Sequence, residues 1–182
     1  EKNLSRTEWR EAATGGLYAG LAYALLTIAA HAGRSMPGLV TILNAVSFFS
    51  FAGFLYFYAR RMAAYAGGDG FSYGRSLLFV LKMSLFAGVL AGVGQFVLVN
   101  WIDPEGFREQ FDLMVANMAG GGMGEKEAEM AGSLGLKLMR NPLFAVFSGI
   151  FSMLIYGGLL GLLISIFVRR PADPFGGGTS AE

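Results

Sequence analysis

Few side chains in this sequence could carry chemistry, and those few lie inside long apolar runs. Lys82 is the one formally charged residue well within such a run. An amine there is a candidate for an ion or substrate relay, or for holding a lipid phosphate. With the runs bounded at 12–32, 37–59, 76–102 and 142–168, no Asp or Glu lies inside any of them to pair with it. Lys82 stands about two turns from the start of its run, so its stem can reach the headgroups, and snorkelling is the simpler account. Asn44 and Gln95 form the second candidate set. Asn44 lies seven residues after Pro37 and Gln95 seven before Ile102. On antiparallel neighbours those positions share one depth, so a hydrogen bond across the bundle is expected, with Thr27 and Ser148 near the same layer. In a membrane such a bond contributes about 0.6 kcal/mol, at most about 2. It reads first as a polar clamp between helices and second as a substrate site.

Other reactive patterns fail on residue type or spacing. His31 has no cysteine or carboxylate at ligand spacing, so no metal is expected there. Gly88-Val-Leu-Ala-Gly-Val-Gly lacks the lysine and hydroxyl that a phosphate loop requires. The chain has no cysteine, hence no thiol nucleophile and no disulfide. No Ser/His/Asp set with a shared pocket can be argued. A non-catalytic protein without cofactor is the expectation.

The elements that carry these residues are set by the solvent they need. About 20 apolar residues in a helix cross a hydrocarbon core of about 30 Å, and this 182-residue chain has four such runs. Apolar residues make up 54% and charged residues 15%, where soluble domains carry about 25% charged. The expected fold is all-α: an integral membrane four-helix bundle, in one domain over 1–170 with a disordered tail over 171–182. A net charge of +1 excludes the broad basic field of a nucleic-acid binder. The first run has a charged leader and Ala30-His31-Ala32 in the place of a cleavage site, but it is long and is expected to be retained.

Orientation follows from lysine and arginine near the run ends. Lys2, Arg6, Arg10, Arg60, Arg61, Arg75, Arg169 and Arg170 fall on one side, against Arg34, Arg108, Lys126, Lys137 and Arg140 on the other. Both termini are therefore expected in the cytoplasm and 103–141 outside it. Trp9 and Trp101 fall at opposite interfaces, with Tyr56 and Tyr58 in the inner belt. Asp103-Pro104 and Asn141-Pro142 read as helix starts with a capping side chain before proline. Ser5-x-x-Glu8 reads as a capping box, which puts a short interfacial helix ahead of the first span.

The external insertion, 103–141, reads as an amphipathic helical hairpin. Residues 104–118 set Phe107, Phe111, Met114, Val115 and Met118 on one face, with Arg108, Glu109 and Asp112 around the other. Residues 125–140 repeat the design with Met130, Leu134 and Leu138, across a glycine-rich hinge over 119–124. Phe107, Phe111, Met114 and Met118 are the candidate partner-facing residues. Rows at every fourth position, mostly of small residues, mark packing faces: Ala12, Gly16, Gly20 and Ala24, then Ser84, Gly88 and Gly92, then Gly149, Met153, Gly157, Gly161 and Ser165. The second span is bulky instead, with Phe48, Phe49, Phe51, Phe54, Phe57 and Tyr58. It is expected to face lipid or a partner subunit.

Gly70-Phe-Ser-Tyr-Gly-Arg-Ser76 entering the third span, Asn100-Trp-Ile-Asp-Pro104 leaving it, and Glu127-x-x-Met130 before Asn141-Pro142 make an ordered set of motifs. In that order they resemble a bacterial family catalogued as domain of unknown function four-one-nine-nine, common among Bacteroidota. The resemblance covers roughly 12–170 and implies a four-helix inner-membrane protein with a short extracytoplasmic insertion. It implies no activity and assigns no residue a role. Three functions remain: a scaffolding or regulatory subunit of an envelope complex, a small transporter or lipid-handling protein using the polar intramembrane layer, and an enzyme acting on lipid. The first accounts best for the want of reactive groups and for a hairpin suited to docking. Membrane lipid, and other membrane subunits or a second copy, are the expected partners.

Overall fold

The structure, a computed structural model, describes residues 2–171; the tail beyond Pro171 lies outside the described residues. Six α-helices follow one another: α1 (Lys2–Ala32), α2 (Pro37–Ala66), α3 (Tyr73–Val97), α4 (Pro104–Gly120), α5 (Glu125–Met139) and α6 (Pro142–Val168). A 3₁₀ turn, Gly67–Asp69, follows α2, and a π-helical turn, Leu98–Ile102, closes α3. Four of the segments are long and apolar enough to cross a membrane: Leu4–Ala32, Pro37–Ala66, Tyr73–Ile102 and Pro142–Val168. The chain is thus all-helical and membrane-spanning. The up-down order puts the start of α1 and the end of α6 at one end of the bundle, here the terminal end, and α4–α5 at the other, the hairpin end.

Capping side chains fix several helix starts. Asn141 Oδ1 accepts from the Leu143 and Phe144 amides at 2.9 and 3.3 Å. Asp103 Oδ1 accepts from Gly106 N at 3.0 Å, and Ser72 Oγ from Arg75 N at 3.3 Å. Ser5 caps nothing. Helix α1 is continuous from Lys2, so no separate interfacial helix precedes the first span, and Ser5 and Glu8 sit inside a helix. Gly67 and Gly70, at φ 52° and 71°, let the chain reverse after α2. Phe71 and Arg170 then exchange backbone hydrogen bonds, both at 2.9 Å, which tie the end of α6 to that turn.

Helix α3 is the centre of the bundle, with α1 on one side and α6 on the other. Each neighbour approaches through glycine. A Cβ built on Gly20 would lie 2.7 Å from the Cα of Ala87, and one on Gly92 would lie 2.6 Å from the Cα of Val146. Those separations leave no room for a side chain, so backbone touches backbone across both seams. Lipid gives no hydrophobic drive between helices, and close van der Waals contact takes its place.

Helix α2 behaves differently along its length. Of its buried residues, Ser47 and Phe51 lie near mid-helix, and Leu55, Tyr58, Ala59, Met62, Ala63 and Ala66 follow toward the terminal end. Toward the hairpin end Leu39, Ile42, Val46, Phe48 and Phe49 are exposed. The bundle is therefore closed at the terminal end and parted between α2 and α6 toward the hairpin end. Substituting Gly92→Leu should lower stability in mild detergent by about 1–3 kcal/mol through overpacking. Gly53→Ala, where a Cβ meets nothing within 4 Å, should leave the thermal midpoint unchanged or raise it slightly. Equal midpoints for the two variants would show that the seams are looser than described.

Candidate functional site

At the terminal end, Lys82 is paired. Its Nζ donates to Glu8 Oε1 at 2.6 Å and stands 4.8 Å from the centre of the Trp9 ring. Arg75 Nε reaches the other oxygen of Glu8 at 3.5 Å. Next to this group Arg61 donates to Glu11 at 3.4 Å. Both carboxylates are 6% exposed. The reading of Lys82 as unpaired is corrected by this arrangement, while its stem does reach toward the terminal end of the span. Its acid comes from the turn that leads into the first span, one helical repeat before Ala12. Glu8, Ala12, Gly16 and Gly20 share one face of α1, so the small-residue row that approaches α3 ends in a carboxylate.

At the hairpin end a second polar group ties α1 to the start of α4. His31 Nε2 lies 2.7 Å from Asp103 Oδ2, and Arg34 donates to the same oxygen. The Phe107 ring stacks on the imidazole, 5.3 Å between centres and 12° between planes. The π-helical turn delivers Asp103 here: the Asp103 amide donates to Leu98 O at 3.0 Å, one residue further back than in an α-helix. Asp103 caps α4 with one oxygen and binds His31 and Arg34 with the other. Spacing alone gave His31 no carboxylate, because Asp103 lies 72 residues away in the chain. Among the described residues no three His, Cys, Asp or Glu side chains come together in a way that could hold a metal ion.

Asn44 and Gln95 do not meet. Asn44 borders a cleft of about 280 Å³ with Tyr23, Thr27, Ser47, Phe48, Phe51, Met153 and Tyr156. Gln95 borders a smaller one, about 160 Å³, with Ser148 and Ser152. Tyr23 and Met153 border both and stand between them. The expected cross-bundle clamp is corrected to two polar sites on opposite sides of a Tyr23–Met153 partition. Helix α1 lies between α2 and α3 at this level, and Thr27 donates to its own helix, to Tyr23 O at 2.9 Å.

The four hairpin candidates divide. Phe107 is taken up by His31. Phe111 and Val115 seat on the glycines of α5: a Cβ on Gly135 would lie 2.8 Å from the Phe111 ring, and one on Gly132 would collide with Val115. Met118 is half-buried and Met114 is 47% exposed. Met114 and its neighbour Leu113 stay exposed on α4, and α5 adds an outward apolar row in which Met130, Leu134 and Leu138 recur every fourth residue. A polar groove, with Arg108, Asp112, Glu129 and Arg140 on its rim, runs between α4 and α5.

Four apolar spans with charged pairs confined to their ends define an integral helical membrane protein. Over residues 14–170 the chain matches the family described as Protein of unknown function (DUF4199), and it belongs to that family. No curated protein and no solved structure matches it.

Removing one partner of a buried ion pair leaves the other charged and unpaired, at a cost of about 3–5 kcal/mol. Lys82→Met leaves Glu8 with only its longer contact to Arg75, so it should destabilise the protein in detergent by less than that full cost but by more than Lys82→Met combined with Glu8→Gln. Additive effects in that double-mutant cycle would show that the two side chains are not coupled.

Proposed function

We propose that this chain is a non-catalytic subunit that scaffolds or regulates a membrane complex of the bacterial cell envelope, with α4–α5 as its docking element. The observation that carries the reading is the row Met130, Leu134 and Leu138. It is exposed on a helix of 15 residues that is too short and too charged to span a bilayer. Large apolar side chains left uncovered in a row fit a partner surface. The inner seat of the hairpin is already filled by Phe111 and Val115, so the outer row is free for another protein. Seven acids, Asp103, Glu105, Glu109, Asp112, Glu125, Glu127 and Glu129, outnumber Arg108, Lys126, Lys137 and Arg140 in this segment. That balance disfavours an anionic bilayer surface as the covering.

Sidedness in this reading follows from the basic residues. Arg6, Arg10, Arg60, Arg61, Arg75, Arg169 and Arg170 gather at the terminal end, which puts both termini in the cytoplasm of an inner-membrane protein and the hairpin outside. The rule counts lysine and arginine rather than net charge, so pairing of Arg61 and Arg75 with glutamates does not weaken it.

Leu134→Glu should abolish cross-linking of the hairpin to its partner in native membranes and leave the thermal midpoint of the purified protein unchanged. Undiminished cross-linking in that variant would remove α5 as the docking face. Phe111→Glu should behave differently, loosening α4 from α5 and exposing the 119–124 turn to protease.

A further inference from the structure

The cleft between α2 and α6 is built as a binding site, and no part of it belongs to the hairpin. Its floor is Ser47, Phe51 and Met153, exposed by only 5%, 3% and 2%. Its mouth is Asn44, Phe48 and Tyr156, all exposed, with Tyr23 and Thr27 of α1 at the back. At about 1.5 Å per residue its lining lies roughly 8–21 Å from the hairpin ends of α1, α2 and α6, between that interface and the bilayer midplane. The mouth therefore opens sideways, to the acyl region of the lipid.

The Ser47 hydroxyl is buried in this floor and makes no hydrogen bond within the protein. A serine in a membrane helix ordinarily returns its proton to the carbonyl four residues earlier, as Ser84 does to Val80 at 2.8 Å. Ser76 and Ser165 are also unpaired, but neither borders this cleft. Ser47 leaves an unsatisfied polar group where water is scarce, at a cost of about 1–3 kcal/mol. Around it stand the Tyr23 and Tyr156 phenols and the Asn44 amide, all able to donate and to accept.

No charged side chain borders the cleft. A phosphate or ammonium head would lose its hydration there without a counter-ion, which costs several kcal/mol. Phe48 and Phe51 supply flat apolar walls beside the hydroxyls. The volume, about 280 Å³, falls just short of the ~300–1,000 Å³ of sites that enclose a whole drug-sized ligand. It holds a head whose tail leaves through the mouth. We propose that this cleft binds the uncharged, oxygen-bearing head of a membrane amphiphile, its carbonyl or hydroxyl oxygen accepting a hydrogen bond from the Ser47 hydroxyl and its hydrocarbon tail lying along α2 and α6. Isoprenoid quinones and diacylglycerols both carry such a head.

Native mass spectrometry of the full chain in mild detergent, titrated with decylubiquinone, with dioctanoylglycerol and with dioctanoyl phosphatidic acid, tests the site. One equivalent of a neutral probe should bind and the anionic probe should not; whichever neutral probe binds more tightly names the source of the head. Ser47→Ala, which removes the hydroxyl without adding bulk, should weaken that binding about tenfold. Tyr156→Phe should also weaken it, with an unchanged thermal midpoint showing that the bundle is intact. Equal binding of the anionic probe, or undiminished affinity in both variants, would overturn the assignment. So would the absence of binding by either neutral probe.

Discussion

The close backbone contact of α3 with α1 and α6 is the constraint on which the rest of the molecule depends. In lipid, helices gain nothing by hiding apolar surface from one another, so association rests on how nearly two backbones can approach. Glycines at 16 and 20 let α1 meet Met83 and Ala87, while those at 88, 92 and 149 let α6 meet α3. Three helices are thereby fixed as a unit before any polar contact is considered. Helix α2 lacks such a row toward the hairpin end and is buried most continuously from Leu55 to Ala66, where Ala59, Ala63 and Ala66 join Leu55, Tyr58 and Met62. The parting of α2 from α6 goes with that change along one helix. The cleft is its result.

The same close approach dictates where charge can be tolerated. A carboxylate facing α3 at the end of a small-residue row is held near the neighbouring helix, and only a cation projecting from that helix can neutralise it there. Lys82 and Arg75, seven residues apart on one face of α3, converge on Glu8, while Arg61 closes on Glu11 from α2. Trp9 lies beside the ammonium and is itself half exposed, as an interfacial tryptophan should be. The cluster joins the terminal ends of three helices where the apolar seams give out. His31, Arg34 and Asp103 do the corresponding work at the other end, joining α1 to α4.

Much of this was legible in the sequence because the signals were periodic. Span positions, the small-residue seams and the capping roles of Asp103 and Asn141 follow from spacing alone. What escaped were contacts between residues far apart in the chain. Glu8 was masked by a local pattern, Ser5-x-x-Glu8, whose capping reading assumes a helix start that a longer helix overrides. Extending the row Gly20, Gly16, Ala12 by one more step would have found it. Equal depth from the interface suggested Asn44 opposite Gln95, but depth fixes height and not azimuth, and α1 stands between their helices.

The hairpin shows the same limit in another form. Amphipathic periodicity identified an apolar face on 104–118 but could not say what that face would meet. Gly132 and Gly135, absent from a reading that counted only large apolar positions, create the seat that Phe111 and Val115 occupy. Once that seat is filled, the outward surface passes to the opposite side of α5, where Met130 and Leu134 project. A glycine on one helix thus decides which side of the next is available to a partner. The principle that sets the spacing of α1, α3 and α6 inside the bilayer also selects the exposed face outside it.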